Sequence, residues 1–218
     1  MLKSTKLISN LSMRAPIAEA YKTLRTNIQF SSLDKEIKVI LVTSSTPAEG
    51  KSTTASNLAI TMAQSEKKVL LIDCDLRKPS IHRAFSLLNS KGLTNVLVEG
   101  LDYQSICNTA GIPNLEVLTS GPKPPNPSEL LGTAKMETFL EMVSHDYDLV
   151  ILDAPPILPV TDAAVLSQFV DGVVFVIAYG VTPYEIVIRA KENLEKVNAK
   201  ILGTVLNNTP IKGNRRYL

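Results

Sequence analysis

Lys51 follows Gly50 and precedes Ser52, closing the stretch Ser45-Thr46-Pro47-Ala48-Glu49-Gly50-Lys51-Ser52-Thr53. The spacing is that of a phosphate-binding loop, G-x-x-x-x-G-K-[ST], with Ser45 standing where the first glycine usually falls. In such a loop, backbone N–H groups and the positive end of the following helix converge on an anion, and the lysine adds a mobile point charge. Ser52 would place its hydroxyl on Mg²⁺. Two further residues suit the same chemistry. Asp73 ends the apolar run Val69-Leu70-Leu71-Ile72, and Asp153 ends Leu149-Val150-Ile151-Leu152. An apolar strand tipped by aspartate is a usual source of a carboxylate that holds Mg²⁺ directly or through water. Either aspartate alone also fits a turn cap. Downstream of the loop, the pair reads as a Mg-nucleotide site. Asp75, beside Asp73, is a second carboxylate that could take a proton from an attacking hydroxyl or orient a water. Phosphoryl transfer and hydrolysis both stay open on these residues. Arg77 and Lys78 precede Pro79 and could be a basic turn in solvent.

These groups need strands and helices to bring them together. Residues 37–42 are apolar and β-branched and predict a buried strand, and residues 54–63 predict the helix after the loop. Further strands are expected at 69–73, 115–118, 149–153, 173–178 and 201–206, with helices at 126–144, 162–169 and 183–198. Strands apolar on both faces and alternating with helices predict a three-layer α/β fold, a mostly parallel sheet covered on both sides. Pro16 opens a further helix with an apolar stripe of Ile17, Tyr21, Leu24 and Ile28. Glu19, Lys22 and Arg25 recur along another side, as a solvated face or a subunit contact. Residues 1–14 read as a loose arm, 15–208 as one domain and 209–218 as a flexible tail. The segment Gly121-Pro122-Lys123-Pro124-Pro125-Asn126-Pro127 predicts a stiff, extended loop.

Composition excludes several alternatives. The chain has 218 residues, 44% apolar, and a formal net charge of +2, too small to argue for nucleic acid. No tryptophan and few aromatics leave little material for stacking bases. Cys74 and Cys107 make no disulfide framework and fit a reducing cytosol. No apolar run approaches a membrane span of about 20 residues, and the N-terminus lacks a signal-peptide core. His82 and His145 show no metal spacing. Cys74, flanked by acids, lacks the setting of a reactive thiol.

The combination resembles the bacterial tyrosine kinases of the P-loop type, found in capsule and exopolysaccharide systems. The resemblance rests on four stretches: residues 45–53 (Walker A), Leu70-Leu71-Ile72-Asp73-Cys74-Asp75-Leu76-Arg77-Lys78-Pro79 (Walker A′), Val150-Ile151-Leu152-Asp153-Ala154-Pro155-Pro156 (Walker B), and the proline-rich segment from Gly121 to Leu131. It implies a P-loop NTPase fold, ATP and Mg²⁺ as cofactors, and transfer of the γ-phosphoryl group to tyrosine. Lys51 would hold the β/γ-phosphates, with Ser45, Thr46, Pro47, Ala48, Glu49, Gly50, Ser52, Thr53 and Asn207 around the nucleotide. Ser52, Asp73 and Asp153 would serve the metal, Asp75 would support it, and Asp73 would be the base. Asp75 and Arg77 complete the catalytic set. Glu19, Lys22 and Arg25 fall where the family carries a Glu-x-x-Arg-x-x-Arg motif of ring-like self-association, with Lys22 replacing an arginine. The implied partners are a membrane-spanning polysaccharide co-polymerase, whose cytoplasmic tail completes the site, and a phosphotyrosine phosphatase. The implied location is the cytoplasm, at the inner face of the membrane.

The family's tails usually carry a tyrosine cluster phosphorylated between subunits, which implies autophosphorylation; this sequence ends Lys212-Gly213-Asn214-Arg215-Arg216-Tyr217-Leu218, so the readings are a truncated tail, a cluster reduced to Tyr217 as the phosphoacceptor, or an acceptor on another protein. The rival reading is a partition or division-site-positioning ATPase. Those proteins carry a lysine immediately after the first loop position, which is Thr46 here.

Overall fold

Six apolar runs become six parallel strands: β1 (Val39–Ser44), β2 (Val69–Asp73), β3 (Leu115–Leu118), β4 (Leu149–Asp153), β5 (Gly172–Ala178) and β6 (Ile201–Asn207). They form one sheet in the order β3-β2-β4-β1-β5-β6. The computed structural model describes residues 7, 16–31 and 36–210. The expected arm and tail, with Tyr217, fall almost wholly outside them. Among the described residues no helix is long and apolar enough to cross a membrane.

Alternation along each strand explains why both sheet faces need a cover. Val39 and Leu41 of β1 join one core with Leu70, Ile72, Val150 and Leu152, while Ile40 and Val42 join the other with Val69, Leu71 and Ile151. Helices α1 (Pro16–Phe30), α2 (Lys51–Ala63) and α3 (Ile81–Ala84) supply Ile28, Leu58 and Ile81 to the second core. Helices α4 (Leu93–Glu99), α5 (Pro127–Leu131), α6 (Ala134–Asp146), α7 (Asp162–Leu166) and α8 (Tyr184–Lys196) cover the first. Strands buried on both faces under helices are the arrangement expected of a parallel sheet. The sheet is all-parallel, slightly stronger than the mostly parallel expectation.

Several local expectations change. The single helix over 126–144 is two, broken at Gly132 and Thr133, where Thr133 is extended (φ −78°, ψ 153°) and caps α6. A side chain on Gly132 would press on Val165 at 3.1 Å, so α5 packs closely on α7 at this break. The helix over 162–169 tightens into a 3₁₀ turn after Leu166. Short α3 and α4 carry no helical repeat long enough to read in sequence. In α1 the stripe is shifted, with Ala18 and Ile28 buried but Ile17 at 40% exposure.

Sheet order sets the site. β1 lies between β4 and β5, and β2 lies beyond β4. The carboxyl ends of β1, β2 and β4 therefore open onto one crevice, where ligands of such sheets bind. The register pairs Asp73 directly with Asp153.

Candidate nucleotide and phosphoryl-transfer site

The loop after β1 is held by bonds that its own sequence only partly suggests. Thr43 Oγ1 donates to the Pro155 carbonyl at 2.7 Å, tying β1 to the turn after Asp153. Inside the loop, the Glu49 carboxylate accepts from the Thr46 N–H at 2.9 Å and from the Thr182 hydroxyl. The Asn207 amide donates to the Glu49 carbonyl at 2.9 Å. Asn207 thus reaches the loop from the end of β6. Gly50, the N-cap of α2, has φ 95°, and a side chain there would lie 1.9 Å from the Asn207 amide nitrogen. Glycine is required twice over, by backbone conformation and by space. Ala48 also has positive φ, 67°, without glycine's freedom.

Lys51, at the first turn of α2, is half-buried between two acids. Its ammonium donates to Asp75 Oδ2 at 2.8 Å, and Asp153 Oδ1 lies 3.6 Å away. Burial pulls this ammonium down, but Asp153 and Asp75 outweigh it and hold Lys51 above its ordinary value. Ser52 Oγ lies 3.2 Å from the same nitrogen. The structure therefore brings Lys51, Ser52, Asp75 and Asp153 together.

Asp73 sits deeper. It is fully buried and accepts from the N–H groups of Asp75 (3.2 Å), Ser80 (3.0 Å) and Ile81 (3.0 Å), so it folds the Walker A′ turn around itself. Burial and the neighbouring Asp153 push its carboxyl up to about 7. Asp153 is raised as well, by burial first, with Lys51 opposing. Neither oxygen of Asp153 accepts a hydrogen bond, and the Ser45 hydroxyl is likewise buried without a partner. Orphaned buried oxygens are rare and ask for a missing partner. Among the described residues no three acidic, His or Cys side chains converge as a metal cage. Mg²⁺ keeps waters and phosphate oxygens and takes one or two protein ligands, so the test of fit is the Ser52 hydroxyl and the unpartnered Asp153 carboxylate. Ser52 and Asp153 fit it.

Arg77, expected in the catalytic set, is paired across the fold. Its guanidinium is committed to Asp162, at the start of α7, by two bonds of 2.9 Å. Sequence reasoning missed Asp162 and Thr182. Asp162 lies 85 positions from Arg77 and Thr182 lies 133 from Glu49, so no local pattern could pair them. In α1, Lys22 pairs with Glu19 at 2.7 Å, and Arg25 donates to the Thr61 carbonyl at the end of α2 at 3.2 Å. Cys74 is buried and its thiol is held well above the ordinary range by burial and by the surrounding aspartates.

Comparison with known proteins bears on this geometry. The AAA domain family matches residues 37–201. The chain is 46% identical to the tyrosine-protein kinase YwqD of Bacillus subtilis (strain 168) over 200 residues, covering 92% of this chain and 84% of YwqD. The chain belongs to the bacterial tyrosine-protein kinases. The putative tyrosine-protein kinase CapB of Staphylococcus aureus is 40% identical, with 100% of this chain and 97% of CapB covered. Among solved structures, the chimerical protein CapA2B2 superposes with a TM-score of 0.90 at 40% identity, over 94% of this chain and 90% of that one. The septum site-determining protein MinD of Pyrococcus horikoshii, complexed with Mg-ADP, shares the fold alone, with a TM-score of 0.66 at 19% identity over 78% and 69% of the two chains. As a bacterial tyrosine kinase, the chain has the P-loop NTPase fold that the sequence implies, and it is an enzyme.

Proposed function

We propose that this tyrosine kinase transfers the γ-phosphoryl group of ATP to a tyrosine hydroxyl, and that it regulates capsular or exopolysaccharide synthesis and export. The observation that carries the site assignment is Lys51 at the start of α2, 2.8 Å from Asp75 and 3.6 Å from an Asp153 whose oxygens have no hydrogen-bond partner. The loop N–H groups and the start of α2 would bind the phosphates, and Lys51 would exchange Asp75 for a phosphate oxygen. Ser52 and Asp153 would hold Mg²⁺, which when bound offsets phosphate charge. Asn207, beside the loop at the end of β6, would border the nucleotide.

The tyrosine oxygen attacks phosphorus, the bond to the β-phosphate oxygen breaks, and ADP leaves. Asp73 is the proposed acceptor of the hydroxyl proton. A carboxyl raised to about 7 is matched to proton transfer near neutrality. Arg77 would act by holding the Walker A′ turn rather than by touching phosphate. The co-polymerase partner, the phosphatase, self-association through α1 and recruitment to the inner face of the membrane belong to the same proposal. They rest on family membership.

The test is purified protein with ATP and Mg²⁺, with and without the cytoplasmic tail of a co-polymerase, read by phosphotyrosine and by free phosphate. Phosphotyrosine that disappears in Lys51→Met supports the reading. Free phosphate alone would return the chain to the switch-ATPase class. Asp73→Ala should keep nucleotide binding and lose transfer, and full transfer in that variant would remove Asp73 as the base.

A further inference from the structure

The loops at the carboxyl ends of β2 and β3 carry a net positive charge. From Cys74 to Glu99 the cations are Arg77, Lys78, Arg83 and Lys91, and the acids are Asp75 and Glu99, the latter accepting from the Asn95 amide at 2.8 Å. From Thr119 to Glu129 the chain adds Lys123 and one acid, Glu129, which accepts from the Asn126 amide at 2.8 Å. The two ion pairs already described remove Asp75 and Arg77 from the balance, since Asp75 neutralises Lys51 and Asp162 neutralises Arg77. Lys78, Arg83, Lys91 and Lys123 are left exposed, with no ion-pair partner among the described residues. His82, lowered by burial and by Arg83, adds no charge at neutral pH.

These loops are one surface. β3 and β2 are neighbours in the sheet. The Thr119 hydroxyl donates to the Lys91 carbonyl at 2.9 Å, and the Asn89 side chain bonds both the N–H and the carbonyl of Gly121. The surface also reaches the reaction centre. The Lys78 N–H donates to Asp75 Oδ1 at 2.9 Å while the other oxygen of Asp75 holds Lys51. Arg83 donates to the Pro79 carbonyl at 2.8 Å, so it extends the same turn. A cationic apron thus borders the side of the crevice where Asp73 and Asp75 sit.

We infer that this apron is the docking surface for the phosphoryl acceptor, and that the preferred acceptor is a tyrosine flanked by aspartate and glutamate. The inference rests on the kinase reading above and names its substrate class. Charge complementarity steers encounter and fixes register, and like-charge juxtaposition suppresses wrong partners.

The experiment measures binding and transfer separately on the full chain with Mg-ADP or Mg-ATP. Labelled peptides carry one central tyrosine flanked by glutamates, glutamines or lysines, and a fourth has the sequence of residues 209–218. The Glu-flanked peptide should bind about tenfold more tightly than the Gln-flanked one at low salt, as expected for a few exposed charge pairs. The advantage should shrink as salt rises. Lys78→Gln/Lys91→Gln/Lys123→Gln, which breaks no hydrogen bond found in the fold, should erase it and leave nucleotide affinity unchanged. Equal binding of all four peptides, or an unaltered preference in the triple variant, overturns the inference. So does binding to phosphatidylglycerol vesicles or to DNA that needs these lysines while the peptides are not discriminated. Discrimination in binding without any phosphotyrosine supports the acidic docking surface and defeats the kinase assignment, so the two fail in different ways.

Discussion

Arg77 and Asp162 meet as a planar pair, with Nε and Nη2 of the guanidinium each 2.9 Å from a carboxylate oxygen. Asp162 is fully buried, and it begins α7. The neighbouring Thr161 hydroxyl lies 2.7 Å from that of Ser128 in α5. The Walker A′ turn, the chain following Walker B and the start of α5 are therefore strapped to one another.

Breaking that strap should be costly and specific. Arg77→Met leaves a buried carboxylate without its partner, and the expected loss of unfolding free energy is about 3 kcal/mol, read from urea midpoints. Arg77→Met/Asp162→Leu removes both charges and should recover a large part. If the double variant were as unstable as the single one, the pair would not be the cause. Arg77→Lys keeps charge but not the two-pronged geometry, and should fall between.

The phosphate loop contains a conformational cost at Ala48, φ 67°. Ala48→Gly should remove about 1 kcal/mol of strain and raise Tm by about 2–4 °C for a chain of this size. Gly50→Ala should do the reverse and abolish nucleotide binding in a calorimetric titration. Adding Asn207→Ala relieves the contact with the amide but not the φ of 95°, so it should restore binding only in part.

Stability of the nucleotide-free protein should fall from pH 4 to pH 7. Asp73 is raised by burial and by Asp153, to about 7. A carboxyl with a higher pKa folded than unfolded binds its proton more tightly in the folded state. Its contribution is complete below the unfolded value of about 4 and is lost as pH passes the folded value. Thermal melts in chelator should show a Tm lower by several degrees at pH 8 than at pH 5, and Asp73→Asn should flatten that slope. An unchanged slope in Asp73→Asn would mean that other groups carry it.

Arg25 joins α1 to the far end of the helix that begins with Lys51, through the Thr61 carbonyl. Arg25→Ala should cost about 1 kcal/mol, the worth of one such bond, seen as a lower urea midpoint. Glu19→Ala removes an exposed pair and should change stability by less than about 0.5 kcal/mol. A larger effect of Glu19→Ala on particle mass by light scattering than on stability would mark its partner as another subunit.

Local chemistry made much of this protein legible. Strands buried on both faces leave uninterrupted apolar runs, so β2, β3 and β4 are read residue for residue, and an aspartate after such a run can only lie at the carboxyl end of a strand. The loop before α2 is equally plain, because close approach of backbone to phosphate restricts residue type at Gly50, Lys51 and Ser52. Helix α8 kept its period over three turns and was visible; α3 and α4 are too short to show one. What the tertiary structure alone decided is which side chains share a partner. Strand order brought Asp153 opposite Asp73 and both beside Lys51, and no spacing along the chain encodes that order. Arg77, two positions after Asp75 in sequence, pairs with Asp162 because a buried carboxylate needs a cation. Glu49 became a strut because Thr182, in the loop after β5, and Asn207, at the end of β6, arrive from the other side of β1. Pairings across 85 to 158 positions are set by the packing of the whole sheet, which a linear pattern does not contain.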